Sequence, residues 1–175
     1  MNLPDQVRDQ LRNRLWRIAD QIDWLALGPT EKSQYYENWT KDPEVGGVLQ
    51  RYMAVGQVRV YIKDSLLKDY PRSRRADQAK PFRMLGLQPN VGVTRVFIKP
   101  HGRLLADGRI ICWGRAADWK TILMAVFERS FTISDTTPFA AVLTESAGKY
   151  ADPGARAVVI EAARRLGIEK LLWDS

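Results

Sequence analysis

The dipeptide Asp107-Gly108 constrains the fold of this chain more than any other local feature. It lies between two apolar-rich runs, and Asp-Gly in that setting is the strongest short-range signal for a β-hairpin, because both residues tolerate the positive φ angles of a tight turn. We therefore predict a hairpin over residues 93–114, with a kink at residues 100–102 in its first strand. A hairpin of this length needs further elements to cover it.

Helical periodicity dominates the first third of the chain. Apolar residues recur at spacings of three and four over residues 3–26, which predicts an amphipathic helix. Two further helices are predicted over residues 30–40 and 42–54, each preceded by a capping residue. We expect these three helices to form an N-terminal helical region, residues 1–56.

The pattern changes its period after residue 57. Apolar and polar residues alternate over residues 58–63, which predicts a half-buried strand. Residues 69–81 contain two prolines and three arginines and are predicted to be a polar loop, the best candidate for a mobile segment. A short helical turn is expected around residues 82–87. Beyond the hairpin, helices and strands alternate at residues 118–130, 138–144, 153–166 and 168–173.

These elements predict an α+β fold, in which N-terminal helices precede a mixed sheet with flanking helices in residues 57–175. From residue 43 the predicted order is helix, strand, strand, strand, helix, strand. This order resembles the αβββαβ core of the restriction-endonuclease-like family over about 100 residues, and the resemblance lies in the topology alone.

The residue composition excludes several classes of site. The chain has one cysteine, Cys112, and one histidine, His101. A single cysteine forms no internal disulfide, which fits a cytoplasmic protein, and one Cys with one His excludes the usual structural zinc sites. No apolar run approaches the roughly 20 residues of a membrane span, so no membrane partner is expected. Glycine-rich nucleotide-binding motifs are absent, and no cofactor is indicated.

Positive charge is concentrated in two stretches of a chain that carries 27 basic and 20 acidic residues. Residues 59–83, the first basic stretch, hold eight basic and three acidic groups, and residues 95–120, the second basic stretch, hold six and two. Such local excess is typical of surfaces that bind phosphates. We therefore predict a nucleic-acid-binding protein, of bacterial or phage type, that contacts DNA or RNA. The residues expected to contact phosphates are Arg59, Lys63, Lys68, Arg72, Arg74, Arg75, Lys99, Arg103, Arg109 and Arg115.

Aromatic residues accompany both basic stretches. In the predicted strand, Tyr61 shares a face with Arg59 and Lys63 and would stack a base, although an exposed edge strand shows the same pattern. Trp113 and Trp119 would sandwich a base or, as is more usual for tryptophan, anchor the core.

The resemblance to the restriction-endonuclease-like family implies a metal-dependent nuclease as an alternative function. In that family an acid at the second strand and an Asp/Glu-x-Lys on the third hold Mg²⁺ and steady the attacking water. The predicted third strand, residues 109–113, has no carboxylate. A rearranged site would use Asp107 and Asp118 as metal ligands, with Lys120 and Glu128 beside them. The alternative roles are local: Asp107 makes the turn and Asp118 caps a helix.

His101 offers a second route to cleavage. With Lys99 and Arg103 on either side, it is a candidate general acid or base in phosphodiester hydrolysis. The alternative is a bent strand in which Pro100 and Gly102 set the bend and the basic groups contact phosphates.

A third function is compatible with binding. The apolar stripe of the first helix would allow the N-terminal helices to pack on a protein partner or on a second copy of the chain, in a subunit of a larger complex. Any core-facing helix shows the same stripe.

Overall fold

In the computed structural model, which describes residues 2–174, the chain divides into two compact units with the boundary between Arg74 and Arg75. This boundary lies further along the chain than the one expected after residue 56. The described residues of the first unit form helices and turns, and all strands of the described chain lie in the second unit. The chain is α+β, as predicted. No helix within residues 2–174 is long and apolar enough to cross a membrane.

The first unit is helical because its apolar residues recur at helical spacing. Leu11 and Leu15 are buried, as the periodicity predicts, and they pack with Trp24 and Trp39. The helix predicted over residues 42–54 is reduced to four residues. The helices of this unit are α1 (Asp5–Gln21), α2 (Pro29–Lys41), α3 (Gly46–Leu49) and α4 (Val55–Tyr61), with a π-helical turn over Ile62–Leu66.

The strand predicted over residues 58–63 is wrong, because these residues lie in α4 and the π-helical turn. Val58, Ile62 and Leu66, each four residues from the next, are fully buried, whereas Val60 is 56% exposed. The spacing of four decides the structure because it places three apolar side chains on one helix face and removes them from water together. Residues two apart do not share a helix face, so the predicted Arg/Tyr/Lys stripe does not form.

The polar loop predicted over residues 69–81 is also wrong. It is occupied by α5 (Tyr70–Ala76) and the start of α6 (Ala79–Met84). The Tyr70 hydroxyl donates a hydrogen bond of 2.8 Å to Asp20 Oδ1, and the Arg74 guanidinium donates two, of 2.7 and 2.9 Å, to the same carboxylate. These partners lie about 50 residues away in the chain, where a local pattern does not reveal them.

The second unit contains a five-stranded mixed sheet with the strands in chain order. β2 is antiparallel to both of its neighbours, and β3, β4 and β5 are parallel. The Asp107-Gly108 turn is confirmed; it joins β2 to β3 with Gly108 at φ 88°. The strands are β1 (Val93–Ile98), β2 (His101–Leu105), β3 (Arg109–Arg115), β4 (Thr137–Thr144) and β5 (Lys170–Trp173).

The kink predicted at residues 100–102 is a complete chain reversal. β1 and β2 pair with each other, with Ile98 opposite His101, so the predicted first strand of the hairpin is two strands. The turn between them consists of Lys99 and Pro100, because β1 ends at Ile98 and β2 begins at His101.

Helices cover both faces of the sheet. On one face α7 (Trp119–Thr132) and α8 (Pro153–Arg165) pack on β3 and β4, and on the other face α6 packs through Phe82 and Leu85. The helix predictions for α7 and α8 are confirmed, including the Asp152 cap, whose carboxylate accepts from Ala155 N at 2.8 Å. β3 is therefore buried on both sides, and only its ends reach the surface.

Candidate functional site

The first basic stretch loses much of its free charge to carboxylates that come from elsewhere in the chain. Four of its eight basic groups form such ion pairs. Arg75 and Glu145 form a bidentate pair with distances of 2.7 and 2.9 Å, and both side chains are mostly buried. The four pairs are Arg59–Glu37, Arg74–Asp20, Arg75–Glu145 and Lys80–Asp174. A carboxylate that already occupies a guanidinium competes with phosphate for it.

The second basic stretch keeps its excess. Its two ion pairs, Arg109–Asp107 at 2.7 Å and Arg115–Asp118 at 2.9 Å, use aspartates from within the same stretch. Among residues 2–174, no ion pair joins this stretch to a carboxylate from outside it. Arg103 is buried, so the cations of this stretch that lie at the surface without an ion pair among the described residues are Arg95, Lys99 and Lys120.

The two aspartates proposed as metal ligands lie at opposite ends of β3. Asp107 precedes the strand and Asp118 follows it, so about 20 Å of strand separates them. Asp107 Oδ1 accepts a hydrogen bond from Arg109 N at 3.2 Å, which is the turn-forming role. Asp118 is at the N-cap of α7, but its side chain makes no cap hydrogen bond and accepts from Arg115 instead. A shared site for Asp107 and Asp118 is therefore excluded by geometry.

The residues described by the structure contain no other cluster of metal ligands. No group of three or more His, Cys, Asp or Glu side chains in residues 2–174 is arranged to hold a metal ion. Glu128 lies on α7 about two turns after Lys120, and both line a groove of about 460 Å³ that also borders Lys99 and Arg129. The surroundings of that carboxylate are cationic, which disfavours a divalent metal there.

A cleft opens at the carboxyl end of β3, between the Lys99-Pro100 turn and the start of α7. Its volume is about 400 Å³. Crevices outside the carboxyl ends of parallel strands are the usual ligand sites of open sheets. We call this feature the His101 cleft; its lining includes Ile98, Lys99, His101, Trp113, Arg115 and Asp118.

The floor of the His101 cleft is a stack of two aromatic rings. His101 lies directly across the β2–β3 ladder from Trp113, with ring centroids 6.2 Å apart and an interplanar angle of 23°. Trp113 is only 2% exposed, and its Nε1 donates to Arg75 O at 2.7 Å. The ring of His101 is the more exposed of the two, and Trp113 lies beside it on the neighbouring strand. The predicted sandwich of a base between Trp113 and Trp119 is therefore wrong, because Trp113 is a core residue.

His101 is neutral under ordinary conditions. Burial, together with the nearby Arg103 guanidinium, lowers the pKa of His101 below its usual value of 6.5. A second proton carrier for acid–base catalysis is missing from the cleft, because its carboxylate, Asp118, is held by Arg115. The ring is thus better suited to stacking than to proton transfer.

The remaining predicted contacts fall into distinct places. Arg103 is only 9% exposed; its guanidinium lies 4.9 Å from the Trp113 ring and donates to Gln78 Oε1 at 2.6 Å. Arg109 lies at the far end of β3 from the His101 cleft. Other residues predicted to bind phosphates belong to the first unit and lie on α4, on α5 or in the segment between them; these are Arg59, Lys63, Lys68, Arg72 and Arg74.

Arg129 is a residue that the sequence patterns did not identify. Its Nη2 donates to the carbonyl oxygens of Lys99 at 3.1 Å and Pro100 at 3.0 Å, and its guanidinium stacks 4.2 Å from the Phe97 ring. Nη1 also lies 3.2 Å from Cys112 Sγ. Arg129 therefore fixes the turn that carries Lys99 and His101. Its hydrogen-bond partners lie about 30 residues away in the sequence, so no local motif indicates this role.

Cys112 is not placed for nucleophilic chemistry. It is fully buried in β3, and burial raises the pKa of its thiol to about 11. The thiolate needed for nucleophilic chemistry is therefore not populated at neutral pH.

Comparisons with known proteins add no family to these observations. Protein-family models, curated protein sequences and solved structures contain no match to this chain.

Proposed function

We propose that this protein binds nucleic acid through the phosphate backbone, using the cationic surface around the Lys99-Pro100 turn of the second unit. One observation carries the proposal: the second basic stretch keeps its excess charge, because no carboxylate from outside it neutralises its side chains within residues 2–174. Phosphates are the polyanions that such a surface attracts most strongly.

The accessible cations of this surface lie close together. Lys99 borders both the His101 cleft and the groove of α7, and Lys120 lines that groove. Arg115 stands at the other side of the cleft, with Asp118 as its only ion-pair partner among the described residues. Surface charges spaced along one edge of a sheet can follow a backbone of phosphates.

The arrangement of elements in the second unit supports this proposal. The restriction-endonuclease-like order expected from residue 43 does not form there, because residues 58–63 are helical; an order of helix, three strands, helix and strand runs from α6 to β4 instead. In that family the second and third strands carry the carboxylates that hold Mg²⁺. Here β2 and β3 have none, and histidine, tryptophan and arginine stand near that edge instead. We therefore propose a binding module rather than a nuclease.

The proposal is tested by fluorescence-anisotropy titration with short single- and double-stranded DNA and RNA, at about 50 and 200 mM salt. With Mg²⁺ present, each sample is then run on a denaturing gel. We expect binding that weakens roughly 50-fold for single strands and roughly 150-fold for duplexes between the two salts if about four phosphates are contacted, with the strands intact. Cleaved strands would favour the nuclease alternative, and absence of binding to all four would overturn the proposal.

A further inference from the structure

We propose that the His101 cleft holds one unpaired nucleotide of a nucleic-acid strand, with its base on the His101 ring and its two flanking phosphates near Lys99 and Arg115. This inference rests on the proposed nucleic-acid binding and names the strandedness of its ligand. The observations that support it are the size of the cleft, its apolar surface and the charges around it.

The size of the cleft fits one nucleotide. Its volume of about 400 Å³ is near the lower end of the roughly 300–1,000 Å³ that small-molecule sites occupy. A duplex does not enter a space of this size, and a base within a duplex is covered on both faces by its neighbours. An unpaired base has free faces to offer.

The cleft presents a flat, uncharged ring in a rigid setting. Trp113 packs beside His101 with its ring nearly parallel, and Trp113 is itself fixed by its hydrogen bond to Arg75 O and by an edge contact with Phe82 at 6.5 Å. A stacking platform of this kind loses little entropy when a base binds, because its ring is already held in place.

Apolar surface lies next to the ring. Ile98 is the direct strand partner of His101 and is 68% exposed, although an isoleucine in a strand is usually covered. Ile98, Pro100 and the His101 ring together offer a base an apolar contact on one side of the cleft. Covering this surface on binding is favourable.

The charged side chains of the His101 cleft lie at its rim, and its floor is uncharged. Lys99 forms no ion pair within the described chain, and Arg115 lies on the opposite side of the cleft. The two cations suit the phosphates on either side of a bound nucleotide, while the neutral ring between them suits the base.

The experiment uses the full-length protein and three ligands: a short single strand, its duplex, and the same strand with abasic sites, which keeps the phosphates and removes the bases. We expect the intact strand to bind about tenfold more tightly than the abasic strand or the duplex. Equal affinity for intact and abasic strands would overturn the base-stacking proposal while leaving the proposed phosphate binding in place.

Two variants separate stacking from charge. His101→Ala should weaken binding of the intact strand about tenfold at every salt concentration, without changing the salt slope, because the ring is neutral; His101→Phe should restore it. Lys99→Ala should reduce the salt slope by about one. Lys170→Ala, which removes one charge at the opposite end of the parallel strands, is the matched control and should have little effect. A change in slope for His101→Ala would contradict a stacking role.

A final experiment tests whether the ligand of the cleft is a nucleic-acid strand or a free nucleotide. A 5′-mononucleotide offered as competitor should displace the strand only weakly, because it makes fewer phosphate contacts. Competition by the mononucleotide at the same concentration as the strand would overturn the strand as ligand and identify a free nucleotide instead. No binding of any of these ligands would overturn both this inference and the proposed function.

Discussion

The arginines of the first basic stretch form ion pairs with carboxylates far away in the sequence, whereas those of the second basic stretch form ion pairs with carboxylates at most three residues away. Arg59, Arg74 and Arg75 pair with acids that lie 22, 54 and 70 positions away in the chain. Arg109 and Arg115 pair with aspartates two and three positions away. A count of charges along the sequence already includes local partners and omits distant ones. Such a count is therefore trustworthy for the second stretch and misleading for the first.

The largest expected effect concerns the Lys99-Pro100 turn, which belongs to the second basic stretch. Arg129→Met should lower the free energy of unfolding by about 3 kcal/mol, because it leaves two turn carbonyls without their charged donor and removes the Phe97 contact. Thermal unfolding measures this as a fall of several degrees. Arg164→Met, on the exposed face of α8, is the control and should leave the melting temperature nearly unchanged. Equal shifts for the two variants would show that Arg129 does not hold the turn.

The comparison of the two stretches predicts unequal contributions to binding. The double variant Lys99→Ala/Lys120→Ala should weaken nucleic-acid binding at least tenfold at moderate salt and reduce the salt slope by about two. The double variant Arg59→Ala/Arg74→Ala removes as much charge and should change affinity less than about twofold, because both side chains are already paired. Anisotropy titration with one oligonucleotide measures both, after circular dichroism has verified folding. Similar losses of affinity for the two double variants would contradict the proposed difference between the two basic stretches.

Releasing a paired arginine should sharpen the same comparison. Asp20→Asn frees Arg74 and should raise affinity about twofold at low salt, since phosphate no longer competes with a carboxylate. Asp23→Asn also removes one negative charge from the first unit, but Asp23 forms no ion pair among the described residues, so the variant should have a smaller effect. If the two variants raise affinity equally, net charge alone controls binding and the pairing is irrelevant.

The smallest expected effect is a dependence of stability on pH. Because the pKa of His101 is lower in the folded protein than 6.5, the unfolded chain takes up a proton first as pH falls. The free energy of unfolding should therefore fall as pH drops through 6.5 towards the folded pKa, and this contribution is fully present above 6.5. Urea unfolding at about pH 8 and pH 5 measures it in the native protein and in His101→Phe. The difference in the free energy of unfolding between pH 8 and pH 5 should be smaller in His101→Phe than in the native protein. An equal difference in the two proteins would show that carboxylates, not His101, cause the pH dependence.

The sequence predicted the fold of the second unit better than that of the first. Elements with strong local signals were confirmed: the Asp107-Gly108 turn, the Asp152 cap, and α7. Each of these depends on residues within a few positions of one another, so the local pattern contains the cause. The segment 58–63 failed because a run of six residues fits both periods, and only burial of Leu66 further along decides for the helix.

The candidate site was predicted in part. Lys99, His101 and Arg115 were identified from the sequence, and they lie together in one cleft. The sequence did not reveal that Arg103 is buried under the same face. Its burial follows from the register of β2 on β3, which the positions in the chain do not specify.

The sequence by itself determined which segments turn, which helices are capped, where the basic groups are concentrated, and that a single cysteine and a single histidine limit the chemistry. All of these depend on residue identity and on neighbours a few positions away. Only the tertiary structure decided which charges remain free and which ring is exposed. Ion pairing and burial depend on contacts between residues tens of positions apart, and the chain must fold before those contacts exist.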